Sequence, residues 1–329
     1  MTCMTDVIFH DQHCRSPTVW RWCEINMAGK MFSGEEFEKG YYHYKEVKFH
    51  RMIIPPANLD AMATFEVRPD DIFLITYPKC GTHWSAEIIN LILTAGDPDK
   101  IDHTRQEAAI EMSYLKDKSN PTSFVAFHLK LASMEGRRVI LTHLPEHLLP
   151  PQVFSKKPKV IYVTRNPKDC GVSFYHAMSG LMASDWNGHA DKWIKQDDLI
   201  GGGFFTHVLS YWKHRHEPNF LYMKYEDMKK DPRGSIIRFA DHLECPLSDE
   251  EIDLVVHHSE VKNMKKTYDK VEKKTPDGKF LTKAMGKSPF IRKGQIGDWK
   301  NHFTVAENEA FDAVIHQNLS GTGLTFDYE

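Results

Sequence analysis

Short runs of β-branched and other apolar residues recur along the middle of this chain, several of them closed by a turn and followed by apolar positions at helical spacing. The clearest begins at Asp71. Ile72 to Tyr77 is a continuous apolar run, the pattern of a central strand buried on both faces of a parallel sheet. Pro78 and Gly81 end it. From Thr82 onward, Trp84, Ile88, Ile89, Leu91 and Ile92 have the spacing of a helix packed on a sheet. Arg138 to Thr142, Lys159 to Thr164 and Phe220 to Tyr225 read as three further strands. Helices are expected over Phe204 to Trp212, after Pro232, from Ser248, and over Thr304 to Leu319. Ser248 with Glu251 has the form of a capping box.

Other stretches carry weaker patterns. Residues 1 to about 40 read as weakly structured or peripheral, with Trp20 and Trp22 as a possible docking cluster. Tyr41 to Tyr44 is an aromatic run without an assigned role. Asp97 to Ser123 reads as mixed helix and loop. Gly201 to Gly203 suggests a flexible lid, and Lys262 to Lys287 reads mostly as a solvated Lys-rich loop.

Composition narrows the class. With 329 residues, 41% apolar, 26% charged and a net charge of −3, the chain is an ordinary globular protein without the basic excess of a nucleic-acid binder. No apolar run approaches the ~18 residues of a membrane span. The first thirty or so residues lack a signal-peptide core, and the six cysteines lack C-x-x-C pairing. Both predict a cytoplasmic protein with reduced thiols. Nineteen histidines invite a metal reading, but the pattern gives it little support. His216-Glu217 is followed by Phe220 where a zincin needs His, and Pro145 interrupts the His143/His147 pair. No metal is expected.

The candidate chemistry lies at the ends of the strands. A Gly turn feeding a helix N-terminus is a natural anion cradle, because first-turn N–H groups lack carbonyl partners and the helix dipole favours negative charge. Lys79 adds a positive charge there, and Gly81 permits close approach of the backbone. A turn with a solvated Lys is the plainer alternative. The loop is not a Walker A motif, and Gly286-Lys287-Ser288 has Leu281 where that motif needs Gly, which disfavours an ATP or GTP site. Arg165 at the third strand's end and Ser173 two turns on can face one anion; a surface Arg and a packed Ser are the alternative. Arg292-Lys293-Gly294 suits a phosphate clamp. His143 follows the second strand, where open α/β sheets place their ligands, and imidazole titrates near neutrality. A packed strand-end His fits the same pattern.

Taken in order, Tyr77-Pro-Lys-Cys-Gly-Thr-His-Trp84, Thr142-His-Leu-Pro145, Arg165-Asn-Pro-Lys-Asp169 with Val172-Ser-Phe-Tyr-His176, Tyr225-Glu-Asp-Met228, and Arg292-Lys-Gly with Gly297-Asp-Trp-Lys300 resemble the motifs of the cytosolic sulfotransferases. Those enzymes use 3′-phosphoadenosine 5′-phosphosulfate (PAPS). The resemblance runs from about Arg68 to the end of the chain. It implies one α/β domain around a parallel sheet, similar to nucleotide kinases, over 41–329, with 1–40 as an extension. It also implies that Lys79, Cys80, Gly81, Thr82, His83 and Trp84 hold the 5′-phosphosulfate, with Trp84 stacking on adenine and Tyr225 close by. Arg165, Ser173, Arg292, Lys293 and Gly294 would bind the 3′-phosphate. Ser259 and Val261 stand where the family often has Thr and an aromatic. His143 would be the base and Lys79 would neutralise charge on the leaving oxygens. Lys300, Thr304, Val305 and Glu309 fit the family's short homodimer motif.

Two anionic groups on one nucleotide need two cationic cradles, and the sequence supplies two. A nucleotide lacking the 3′-phosphate would leave Arg165 and Arg292 unpaired, which favours PAPS over ATP. The expected reaction moves a sulfuryl group to a hydroxyl or amine of a small, largely apolar acceptor such as a phenol or steroid. Three residues depart from the family pattern: Leu141 replaces a usual Lys, His83 replaces a small polar residue, and Ala177 replaces an aromatic, which predicts a roomy acceptor pocket. Leu141 also motivates the alternative of a non-catalytic nucleotide-binding or interaction protein on the same fold.

Overall fold

The computed structural model describes residues 39–106, 108–115, 124–178, 185–274 and 293–329. Nearly all of the 1–40 extension, and Arg292 of the expected phosphate clamp, lie outside the described residues.

Strands β1 (Tyr41–Tyr44) and β2 (Val47–His50) form an antiparallel hairpin, Tyr44 pairing with Val47. Lys45 and Glu46 between them both take positive φ, the requirement of a two-residue hairpin turn. The aromatic run is therefore a strand. Helix α1 (Pro56–Ala61), strand β3 (Ile72–Thr76) and helix α2 (Thr82–Leu93) follow. Short strands β4 (Ser113–Leu115) and β5 (Phe124–Ala126) pair within the stretch expected as helix and loop. Next come α3 (Phe127–Ser133), β6 (Val139–Thr142), α4 (Gln152–Lys156), β7 (Lys159–Thr164), α5 (Pro167–Met178), α6 (Trp186–Lys195) and α7 (Phe204–Trp212). The chain continues through β8 (Phe220–Lys224), α8 (Tyr225–Lys230), α9 (Pro232–Leu243), α10 (Asp249–Ser259) and α11 (Val261–Lys274) to α12 (Val305–Leu319).

The central sheet has the order β6-β3-β7-β8, all parallel. Period-two alternation sends Phe73 and Ile75 to one face and Ile72 and Leu74 to the other. The first face packs on Trp193, Phe204 and Tyr211; the second packs on Ile88 and Ile89 of α2, Phe239 of α9 and Val255 of α10. Covering both faces with helices is what lets parallel strands be apolar throughout. At the amino end of the sheet, buried Arg138 forks onto buried Asp71 at 2.7 and 2.5 Å and donates to the carbonyls of Leu131 and Glu66. Arg138 thus clamps the starts of β3 and β6, and the second strand itself begins at Val139.

Two loop expectations change. Val261–Lys274 is helical, with Met264 buried beneath its Lys-rich face. A single apolar stripe on a charged helix is easily read as a solvated loop. The Gly201–Gly203 segment is tied down, because Gly201 N–H donates to the Lys48 carbonyl and the Gly202 carbonyl accepts from the Tyr77 hydroxyl at 3.0 Å.

Candidate active site

The carboxyl ends of all four parallel strands face one cavity of about 240 Å³. β3 delivers Pro78 to Thr82, β6 delivers His143, β7 delivers Arg165, and β8 delivers Tyr225. Ligands of open α/β sheets bind outside these ends, where strand–loop–helix corners converge.

The β3 corner is shaped by its backbone. Lys79 and Gly81 take φ of 74° and 102°, which turns the chain into α2 within a few residues. A Cβ on Gly81 would stand 2.9 Å from the Tyr225 ring, so the position excludes any side chain. Thr82 Oγ1 lies 2.6 Å from Thr76 Oγ1 and locks the first turn of α2 onto its own strand. Lys79, Gly81, Thr82, His83 and Trp84 line the cavity. The Cys80 side chain does not line it: its thiol is buried behind the loop, 3.6 Å from the Cys170 sulfur. Any contact of Cys80 with a ligand is therefore left to its backbone. Burial, with Lys79 and His143 nearby, pushes His83 down to about 4, so this imidazole is neutral near pH 7.

The β7 corner holds the buried cation. Arg165 is 7% exposed; its guanidinium donates to the Gln295 carbonyl at 2.9 Å and lies 4.5 Å above the Tyr225 ring. Its Nε has no hydrogen-bond partner among the described residues. Tyr225 in turn meets Trp84 edge-on at 5.2 Å. Asp169 joins this corner to the clamp: its carboxylate accepts from the N–H groups of Gly297 and Trp299. Lys293 and Gly294 are thereby brought to the same cavity as Arg165 and Ser173, and Lys293 Nζ pairs with Asp298 at 2.6 Å. Glu226 supports the loop from below, accepting from Asn166 N–H at 2.8 Å; burial pushes its carboxyl up to about 7.

Ser259, like the Cys80 side chain, is an expected site residue that the fold does not bring to the cavity. It is buried at the end of α10 and donates to the Val256 carbonyl of its own helix. The helical back-bond satisfies the hydroxyl locally and turns it from the site. Leu141 is likewise buried, in the sheet layer beside Leu74 and Ala109.

His143 stands at the junction. Its Nδ1 is 2.9 Å from the Thr76 carbonyl oxygen and 3.2 Å from Thr76 Oγ1. A carbonyl can only accept, so Nδ1 carries the proton and Nε2 is left as the acceptor of the neutral ring. Glu111 accepts from the His143 backbone N–H at 3.0 Å and from Thr142 Oγ1 at 2.9 Å. The sequence reading missed Glu111; the one signal for it was an acid inside the apolar stretch Ala108 to Met112. It also missed Phe49, Ile53 and Ile54 from the hairpin and its exit, which with Met112, Phe174 and Met178 make an apolar end beyond His143. Among the described residues no group of acidic, His and Cys side chains is arranged to hold a metal, and no helix is long and apolar enough to cross a membrane.

Comparison with known proteins adds to this geometry. A family model described as "Sulfotransferase domain" matches residues 69–323. An amine sulfotransferase of Oryctolagus cuniculus is 31% identical over 87% of this chain and 93% of its own. Sulfotransferase 1C2 of Rattus norvegicus is 36% identical over 83% and 90%. The crystal structure of mouse sulfotransferase SULT7A1 complexed with PAP superposes with a TM-score of 0.70 at 30% identity, covering 85% of this chain and 94% of that one.

Proposed function

This chain belongs to the cytosolic sulfotransferase family and is a sulfotransferase; on that premise we propose that it moves the sulfuryl group of PAPS to a hydroxyl or amine on a small, mostly apolar acceptor. One observation carries the reading: a buried Arg165 with an unpartnered Nε, a Gly81 corner that no side chain can enter, and the His143 imidazole all face the same cavity. The residues fit a doubly anionic nucleotide. Lys79 and the first-turn N–H groups of α2 suit its 5′ end. Arg165, Ser173, Lys293 and Gly294 suit its 3′-phosphate, Arg292 is assigned to the same group from the sequence alone, and Trp84 and Tyr225 offer aromatic surface to the base.

PAPS supplies an activated sulfuryl group, and the chain's own residues do the rest. His143 Nε2 takes the acceptor's proton, a task that contributes ~10²–10⁴-fold. The Thr76 carbonyl holds the ring in the tautomer this requires. Lys79 offsets the negative charge that grows on the departing phosphate. The apolar end, which Ala177 helps to line, accepts the carbon skeleton. Self-association through Lys300, Thr304, Val305 and Glu309 belongs to the same proposal. Val305 is 77% exposed there, an apolar side chain left for a second copy. A cytoplasmic location is proposed with it.

The test is incubation with radiolabelled PAPS and a panel of phenols, steroids and amines across roughly pH 5–8, the range in which His titrates. Labelled product, with thermal stabilisation by adenosine 3′,5′-bisphosphate (PAP) and not by ATP, is expected. Tight PAP binding without product from any acceptor would favour the non-catalytic alternative that Leu141 suggests.

A further inference from the structure

Glu111 is fully buried, yet it lines the cavity, and among the described residues it is the only acid that does. Both its oxygens serve the strand end that carries the base: Oε1 accepts from His143 N–H and Oε2 from Thr142 Oγ1. Thr142 Oγ1 also accepts from Leu144 N–H, so the carboxylate organises both sides of His143. Its own backbone is pinned. The Asn58 amide donates to the Glu111 carbonyl at 3.0 Å and to Ser113 Oγ at 3.1 Å, and Ile110 N–H donates to the Leu141 carbonyl at 2.8 Å. Burying a carboxylate is unfavourable unless its charge is matched. Acceptance at both oxygens is the pattern of the ionised carboxylate, and the negative charge it carries favours a transient positive charge nearby.

We propose that Glu111 is the anionic partner of His143: it fixes the strand end that carries the imidazole and stabilises the imidazolium formed when Nε2 takes the acceptor's proton. The inference rests on the reading of His143 as the base. In that step the acceptor oxygen bonds to sulfur, and the sulfur–oxygen bond to the 5′-phosphate breaks and leaves its electron pair on the phosphate. The proton goes to Nε2, and Glu111 exchanges none. Glu111 is thus a positioning residue with an electrostatic role.

Among the described residues the other titratable side chains near His143 supply no competing anion. They are Lys79 and His83 from the β3 corner and His50 from the hairpin, which line the same cavity, and His207 from α7, whose Nε2 is 3.2 Å from the His143 carbonyl. Burial holds His207 down to about 3 and His83 to about 4, so both are neutral near pH 7. Burial raises the Glu111 carboxyl, and a positive His143 draws it down again, so each charge favours the other. Tyr211, which feels the Glu111 charge from α7, has its hydroxyl on the Leu144 carbonyl and stays neutral.

The experiment is ring C–H NMR of PAP-loaded protein, with the His143 signal assigned by its loss in His143→Gln. Glu111→Gln is expected to move the His143 midpoint down by about one pH unit, a tenfold loss of proton affinity. The acid limb of kcat/KM should move to lower pH with it, and kcat should fall about 10- to 100-fold. Thr142→Val removes a hydrogen bond and keeps the charge, so its midpoint should stay at the wild-type value; a shift as large as that of Glu111→Gln would overturn the proposal, as would an unmoved midpoint in Glu111→Gln. The reciprocal measurement needs no change at Glu111. In His143→Gln the Glu111 carboxyl, followed by carbon NMR, should titrate at higher pH than in wild type, and an unchanged value would also overturn the proposal. If the wild-type protein moves no sulfuryl group, the functional reading fails by itself, and both titrations still decide whether the pair exists.

Discussion

The two ends of the cavity are built differently. The anionic end is made of corners: Lys79 to Trp84 after β3 and Arg165 to Ser173 after β7, each a strand turning directly into a helix. Lys79, Thr82, Arg165 and Ser173 give it charged and polar side chains, and its shape is held by backbone conformation, by Thr76–Thr82, and by Asp169 and Glu226 beneath the Arg165 loop. The apolar end is assembled from pieces distant in sequence: Phe49 and Ile54 from the hairpin and its exit, Met112 beside β4, and Phe174 and Met178 from α5. A ligand's phosphates need fixed donors, so that end is tied to short local motifs. An apolar acceptor needs only volume and low polarity, so that end is free to change by substitution.

His143→Ala should give the largest effect, because it removes the group between the two ends. Transfer should fall by about 10²–10⁴-fold while PAP affinity, measured by calorimetry, stays as in wild type. Retained turnover would remove His143 as the base. Arg165→Ala acts on the anionic end alone. Losing charge-assisted hydrogen bonds worth about 1.5–3 kcal/mol should weaken PAP about 10- to 100-fold, and an unchanged dissociation constant would show that the 3′-phosphate binds elsewhere.

Glu87→Gln tests the burial of charge in α2, the helix of the anionic corner. Glu87 is fully buried, and desolvation raises its carboxyl to about 7. A raised folded-state value means the native state favours the protonated acid. Its contribution is complete below the unfolded value near 4.5 and is lost as pH rises through about 7. The substitution should therefore stabilise the protein at pH about 8, by up to about 3 kcal/mol, and do little at pH about 4. Equal melting shifts at both pH values would refute the buried-charge account. Ala177→Phe acts on the apolar end and should give the smallest effect. KM should rise about tenfold for a steroid-sized acceptor, on the scale of a pocket misfit of 1–3 kcal/mol, with PAP binding and a single-ring phenol unaffected. A uniform loss across acceptors would mean Ala177 does not bound the pocket.

The sequence by itself determined the β3, β6, β7 and β8 strands, the Gly81 corner, and Lys79, Arg165 and His143 at strand ends. Each follows from interactions within a few residues: apolar runs, a Gly that must take positive φ, a Pro at a helix start. Tertiary structure alone decided what those ends meet. Glu111 reaches His143 across 32 residues of chain, the hairpin closes the apolar end, and Asp169 draws in a loop from 128 residues away. The same packing turned the Cys80 thiol and the Ser259 hydroxyl away from the cavity, though both had stood in the expected site. No local rule reports these, because side-chain direction at a helix end or behind a turn is set by which neighbour offers burial or a hydrogen bond, and that neighbour is chosen by the fold.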